Sequence, residues 1–249
     1  MSDGLIMHLS GPFQSYGGPA QANLRPTYRQ PTRSALTGMI ACCLGRERDA
    51  DNTDLAQLSY TIRVDRPGTI LADFHTVGGN HDPVFGLTTA EGKTRDAPIV
   101  STRYYLSDAA FTLAVTGPTP VLDLTAQALT HPVWAPYLGR RSCPPDTPLL
   151  LTRSNHALED LDHIPLHRPT THRTGPVTYV HDSAPTLAAP SSSQLHDQPV
   201  PGHHRAWTTR PIWEQQRTIP APNGGLGTAW LNALADHLGI PTPAKEDHL

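Results

Sequence analysis

Three groups of arginine, glycine and hydroxyl side chains have the types and spacing to hold an anion. The first runs Gly11-Pro12-Phe13-Gln14-Ser15-Tyr16-Gly17, continues through Arg25 and Arg29, and ends at Pro31-Thr32-Arg33-Ser34. A guanidinium group holds phosphate oxygens through two parallel hydrogen bonds. A helix with Arg33 and Ser34 in its first turn adds free N–H groups and a partial positive charge, which attract the same anion. Gln14 carries an amide suited to reading a base edge, and Tyr16 a ring suited to stacking on a base. The second group is Tyr137-Leu138-Gly139-Arg140-Arg141-Ser142-Cys143-Pro144, an arginine pair in a turn-forming stretch. The third is Arg103-Tyr104-Tyr105-Leu106-Ser107-Asp108-Ala109-Ala110-Phe111. Each has a plainer structural reading: a capped helix after a surface loop, a solvated loop, and a strand whose tyrosines pack on a sheet. Taken one at a time, spacing favours the plainer readings.

Charge distribution strengthens the anion reading. The formal net charge is −3, but all of the 19 basic residues except Lys93 and Lys245 are arginine. Residues 4–46, 124–145 and 163–181 contain no carboxylate, whereas acidic residues gather at 49–54 and 159–162. A chain acidic overall and locally cationic suits one narrow anion track. The 14 histidines include His75, His203 and His204. With Tyr28, these are candidates for the general acid and base of metal-free RNA cleavage. No Cys-x-x-Cys or His-Glu-x-x-His spacing occurs, so no metal is expected. Gly224-Gly225-Leu226-Gly227 is not followed by the Lys-Ser or Lys-Thr of a nucleotide loop. Three cysteines, two of them adjacent, argue against a disulfide framework. With no apolar run long enough for a membrane and no leader pattern at the N-terminus, a cytoplasmic protein with reduced thiols is expected.

The elements that must position these groups are legible in part. Residues 5–9 read as a short buried strand, followed by a turn-rich loop. Residues 31–45 read as a helix: Ala35, Leu36, Met39, Ile40, Cys43 and Leu44 recur on one face, Thr32 or Ser34 caps the start, and Gly45 ends it. A short helix is expected over 54–59, strands over 60–66 and 69–77, and one sheet segment over 104–115. A helix over 121–130 and a strand over 149–152 follow. Residues 78–102 hold many glycines and prolines and read as a projecting hairpin. Residues 155–222 give weak signals and are expected to form irregular strands and partly ordered loops. A last amphipathic helix covers 228–239. The order strand, helix, strand, insertion, strand, helix, strand is compatible with a ferredoxin-like sheet.

The motifs Leu9-x-Gly11-Pro12-x-Gln14-Ser15-Tyr16-Gly17, Arg25-Pro26-Thr27-x-Arg29, Pro31-Thr32-Arg33-Ser34, Asp73-x-His75-Thr76-Val77, Arg103-x-Tyr105-Leu106-x-Asp108-Ala109-x-Phe111, Tyr137 to Pro144 and Gly202-His203-His204 together resemble the CasD family. That family is the 5′-handle-binding subunit of the type I-E CRISPR Cascade. The resemblance implies an α+β fold with a ferredoxin-like (RRM-like) palm over residues 1–77 and 103–222, a thumb hairpin at 78–102, and a C-terminal extension with a short helix over 223–249. It implies a non-catalytic subunit that needs no cofactor, binds the crRNA 5′ handle, contacts the backbone and large subunits, and meets target DNA only indirectly. Carried over by position, the RNA contacts are Gln14, Tyr16, Arg25, Arg29, Arg33, Ser34, Arg103, Tyr137, Arg140 and Arg141. The alternative is a metal-independent endoribonuclease that processes CRISPR repeat RNA.

Overall fold

Strand β1 (Gly4–Ser10) is buried along its whole length, so both of its faces must be covered. Leu5, Met7 and Leu9 enter one hydrophobic core, whereas Ile6 enters a second on the opposite face. This is the period-two alternation of a strand. The computed structural model describes residues 3–18, 23–78, 87–88, 92, 94–95, 97–172, 175–185, 190–200 and 206–241.

After β1 come α1 (Arg33–Cys43), β2 (Ser59–Arg66), β3 (Thr69–Val77), β4 (Ile99–Ser107), β5 (Ala110–Thr116), α2 (Thr119–Thr130) and β6 (Leu150–Ser154). The chain continues through α3 (Ala157–Asp160), β7 (Val177–His181), β8 (Ser193–Pro199), β9 (Trp207–Arg217) and α4 (Thr228–His237). A 7-stranded sheet has the order β6-β1-β5-β2-β7-β9-β8, and every neighbouring pair is antiparallel. Helices α1 and α2 cover one face through Leu36, Met39, Ile40, Leu122 and Leu129. Segment 157–166 and α4 cover the other through Ala157, Leu161, Ile164, Leu166, Trp230 and Leu234.

Helix α1 begins where Thr32 accepts a hydrogen bond from the Ala35 N–H at 3.4 Å. It ends before Gly45, whose φ of 71° is the left-handed turn expected there. The helix expected over 54–59 shrinks to one 3-10 turn at Leu55–Gln57, because Ser59 already belongs to β2. The single segment expected over 104–115 is two strands in two sheets. Asp108 breaks it with φ 56°, a conformation that Asp tolerates better than most residues. Strand β5 continues in the main sheet, while β3 and β4 pair as an antiparallel ribbon from Thr69↔Ser107 to Val77↔Ile99. The strands expected within 155–222 are β7, β8 and β9, and they extend the main sheet. Strand β9 exposes residues on both faces, so its sequence lacks the alternation that marks a half-buried strand.

A polar network lies inside the second core. The Arg63 and Asp65 side chains are fully buried and pair at 2.7 Å. Arg63 also donates to the carbonyls of Leu161 and of Ile164, the latter at 2.8 Å. Asp65 accepts from the Thr112 hydroxyl at 2.8 Å and the His167 N–H at 3.1 Å. The His8 ring bridges Thr112 (3.1 Å) and the His167 ring (2.9 Å). The Trp230 ring of α4 stacks on both, with centroids at 4.2 and 4.5 Å, and its N–H donates to the Pro165 carbonyl at 3.0 Å. The two buried charges of this network, Arg63 and Asp65, are partners of each other, the condition under which such a pair is tolerated.

Burial pushes His8 down from 6.5 to about 3 and His167 to about 4, so the fold holds both rings neutral. Burial raises the Asp65 carboxyl, but Arg63 beside it outweighs this and leaves it below its ordinary value. A depressed histidine stabilises the fold fully above its unfolded value and progressively less below it. Stability is therefore expected to fall by several kcal/mol, on the order of one for each pH unit per ring, between pH 6.5 and about 4. Urea unfolding at stepped pH checks this, and His8→Gln should flatten the slope. Equal midpoints across that window would contradict it.

Candidate nucleic-acid interface

The loop after β1 and the loop before β6 are joined backbone to backbone. The Ser15 N–H donates to the Leu138 carbonyl at 3.0 Å, and its hydroxyl donates to the Tyr104 carbonyl at 2.9 Å. Gly139 has φ 85°, and a Cβ there would sit 1.9 Å from the Ser15 carbonyl oxygen. Only glycine meets both demands. Two further bonds close the turn: Leu138 N–H to Cys143 carbonyl at 2.7 Å, and Cys143 N–H to Arg140 carbonyl at 2.9 Å. The turn aims Arg140 at the ribbon. Its guanidinium lies 4.6 Å from the Tyr105 ring centroid and donates to the Arg25 carbonyl at 3.0 Å.

Arg25 is brought in by strand pairing. The two-residue strand Leu24–Arg25 runs parallel to β4, with Arg25 the register partner of Arg103. Registered partners project to the same face. Tyr105, two residues along, lies on that face as well, with Phe13 edge-on to it at 5.9 Å. Arg25, Arg103 and Arg140 thus meet beside two aromatic rings at the root of the ribbon.

Ion pairing divides the arginines into two classes. Arg33 pairs with Asp182, Arg46 with Asp54, Arg63 with Asp65 and Arg66 with Asp108. Arg153 pairs with Asp3 and Asp123, Arg210 with Asp197, and Arg217 with Asp162. Among the described residues no carboxylate pairs with Arg25, Arg29, Arg48, Arg103, Arg140, Arg141 or Arg168. The Arg140 Nη1 atom is buried and has no hydrogen-bond partner. Arg25, Arg29 and Arg141 are exposed, and Arg103 is half-buried with a long contact of 3.4 Å to the Ser101 hydroxyl.

Several residues expected at the site serve the fold instead. Gln14 is 0% exposed and donates to the Ala109 carbonyl at 2.8 Å. Tyr16 is 1% exposed and donates to the Gln14 side-chain oxygen at 2.6 Å. Pairing turns Phe13 outward and Gln14 inward, so reading a base edge with Gln14 and stacking on Tyr16 do not fit. Arg33 is committed to Asp182 and to the Ala56 and Leu58 carbonyls. The α1 N-terminus does not await a phosphate either. Its Arg33 N–H donates at 2.7 Å to Asp197, a buried carboxylate from β8 that Arg210 also holds. The cavity beside it leaves about 10 Å³ for the centre of a water molecule, room for about one water and not for a phosphate group.

Ser34 is half-buried in the first turn, with its hydroxyl 3.4 Å from that of Thr32. Tyr137 is half-buried at the head of the arginine turn. The Tyr28 hydroxyl accepts from the His196 N–H at 3.4 Å. His75 lies 3.4 Å from Asp73 on the ribbon. His203, His204 and much of 78–102 lie outside the described residues. Among those described, no three His, Cys, Asp or Glu side chains gather as metal ligands. Nor is any helix among them long and apolar enough to cross a membrane.

Residues 4–217 match a family described as CRISPR-associated protein (Cas_Cas5). The chain belongs to this CRISPR-associated family. It is 40% identical over 162 residues to the "CRISPR system Cascade subunit CasD" of Escherichia coli (strain K12), spanning 59% of this chain and 69% of that protein. A chain of a structure named "CRISPR RNA-guided surveillance complex" superposes with TM-score 0.81 at 35% identity, covering 95% of this chain and 99% of the other. A structure named "Crystal structure of Cas protein" follows with TM-score 0.64 at 26% identity, covering 89% and 98%.

Against this family background, sequence reasoning missed Tyr105 as the seat of Arg140 and Phe13 as its neighbour. Period-two spacing from Arg103 to Tyr105 was the available signal. The joint between the two loops yields a prediction. Gly139→Ala should cost more than about 1 kcal/mol of stability from the left-handed backbone alone, with the Ser15 clash added. Chemical denaturation of the full chain checks it, and an unchanged midpoint would contradict the close approach.

Proposed function

We propose that this chain is a non-catalytic RNA-binding subunit of a Cascade-type CRISPR surveillance complex, gripping the 5′ handle of the crRNA. What carries the reading is the gathering of Arg25, Arg103 and Arg140, none of them ion-paired among the described residues although Asp73 is the cross-strand neighbour of Arg103, beside the ribbon of a Cas_Cas5 chain. In this reading the exposed Arg29 and Arg141 add further guanidinium groups, and the half-buried Tyr137 and Ser34 are further contacts. Guanidinium groups supply affinity through phosphate oxygens, and splayed bases supply specificity. Gln14, Tyr16 and Arg33 hold the loops that present them. The order β6-β1-β5-β2, reached through α1 and α2, supports a ferredoxin-like palm. The thumb expected at 78–102 is rooted in the β3–β4 ribbon, and 223–249 is an extension that closes the back of the palm through α4. Backbone and large subunits are the protein partners in this reading. Target DNA is met through them, and the complex works in the cytoplasm.

The salt dependence of binding to a short single-stranded RNA tests this. Changing Arg25, Arg103 and Arg140 together to Ala should lower the slope of log K against log salt by about 2, at about 0.7 for each phosphate no longer neutralised. Arg153→Ala, which breaks a surface ion pair, should leave the slope unchanged. An unaltered slope in the triple variant would overturn the assignment. The endoribonuclease alternative rests on the His75–Asp73 pair on the same ribbon face. Repeat RNA incubated with the protein in EDTA is expected to stay intact. Cleavage abolished by His75→Ala would establish the alternative.

A further inference from the structure

We propose that Phe13 is a stacking platform for one nucleobase of the bound single-stranded RNA, with Tyr105 the positioning residue that seats both Phe13 and Arg140. The inference rests on the RNA-binding reading above and adds a base site to its phosphate track. Phe13 is 40% exposed, yet it does not sit in a loose loop. It pairs in register with Ser107, and the Asp108 N–H donates to the neighbouring Pro12 carbonyl at 3.2 Å. Alternation drives Gln14 into the core, so Phe13 must face outward. A polar side chain would satisfy a merely solvated position, but this one carries a bare aromatic ring held at a fixed angle.

That ring is one end of an ordered strip. Phe13 meets the Tyr105 ring edge-on at 5.9 Å and 61°, the Arg140 guanidinium lies 4.6 Å from the Tyr105 centroid, and Arg140 reaches the Arg25 carbonyl at 3.0 Å. Arg25 and Arg103 follow as register partners. Aromatic faces interleaved with guanidinium groups are the arrangement by which proteins hold single-stranded nucleic acid, bases on rings and phosphates on cations. Phe13 offers no hydrogen-bonding group. The site therefore takes any base, and its contribution is independent of base identity.

The test uses the full chain and a single-stranded RNA of roughly eight nucleotides, within the usual footprint of such binders. Phe13→Ala should weaken binding about 5- to 100-fold and leave the salt slope at the wild-type value, because every phosphate keeps its guanidinium partner. Phe13→Leu keeps the apolar bulk without the π-face and should show a similar loss, which separates stacking from misfolding. Phe13→Trp should restore affinity. One abasic position walked along the RNA should weaken the wild type at a single place and leave Phe13→Ala unaffected there. Tyr105→Leu should lower both affinity and slope, because Arg140 loses its seat. Wild-type affinity in Phe13→Ala, or an unchanged abasic profile in that variant, would overturn the platform while leaving the arginine track intact. Failure of the RNA reading itself looks different: the wild-type slope is then flat, and the triple arginine variant matches it.

Discussion

The contact between Gly139 and the Ser15 carbonyl is the joint on which the functional surface depends. Two loops more than a hundred residues apart in sequence approach so closely there that no side chain fits between them. The approach sets the height of the arginine turn above the ribbon and brings Arg140 to both Tyr105 and Arg25. Strand pairing sets Arg25 beside Arg103, and this contact adds Arg140, giving three guanidinium groups with no carboxylate partner among the described residues. With it they form one local field in a protein whose net charge is −3. A chain with that total binds an anion only where carboxylates are kept away from a particular strip.

Several carboxylates are committed to arginines elsewhere in the fold. Asp182 and Asp197 converge on the start of α1, Asp65 on Arg63 inside the core, and Asp162 on Arg217 beside Tyr179. Burial raises the Asp182 carboxyl even though Arg33 pulls it back, which marks that pair as part of the packed interior. The same side-chain type therefore does two jobs. Paired arginines tie strands, loops and helix ends together. The arginines near the ribbon have no carboxylate partner among the described residues, and in the proposed function their mutual repulsion is what a bound anion would relieve.

The C-terminal layer makes this division possible. Strands β7, β8 and β9 deliver Asp182 and Asp197 to α1, and α4 delivers Trp230 to the His8–His167 pair. The back face of β1 is thereby sealed, so a strand buried on both sides can anchor the loop that carries Phe13, Gln14 and Tyr16. The resemblance in sequence pointed to the front of the molecule. The support for that front comes from segments whose own patterns were weak.

What the sequence alone determined was local: the short buried strand at residues 5–9, the apolar stripe of α1 with its Thr32 cap and Gly45 stop, the β3 strand, and the family motifs. Each follows from the period of one element or from residues a few positions apart. Which arginines remain available was decided only in three dimensions. Arg33 and Arg25 look alike in the chain, but the partner of Arg33 lies 149 residues away at Asp182, and the carboxylate capping its helix lies 164 residues away at Asp197. Gln14, expected to meet a base, lies in the core while its neighbour Phe13 is exposed, because strand pairing sends one inward and the other outward. Neutralising a charge or burying an amide takes contact within a few ångströms. Separation along the chain carries no information about such contacts until the strands have found their neighbours.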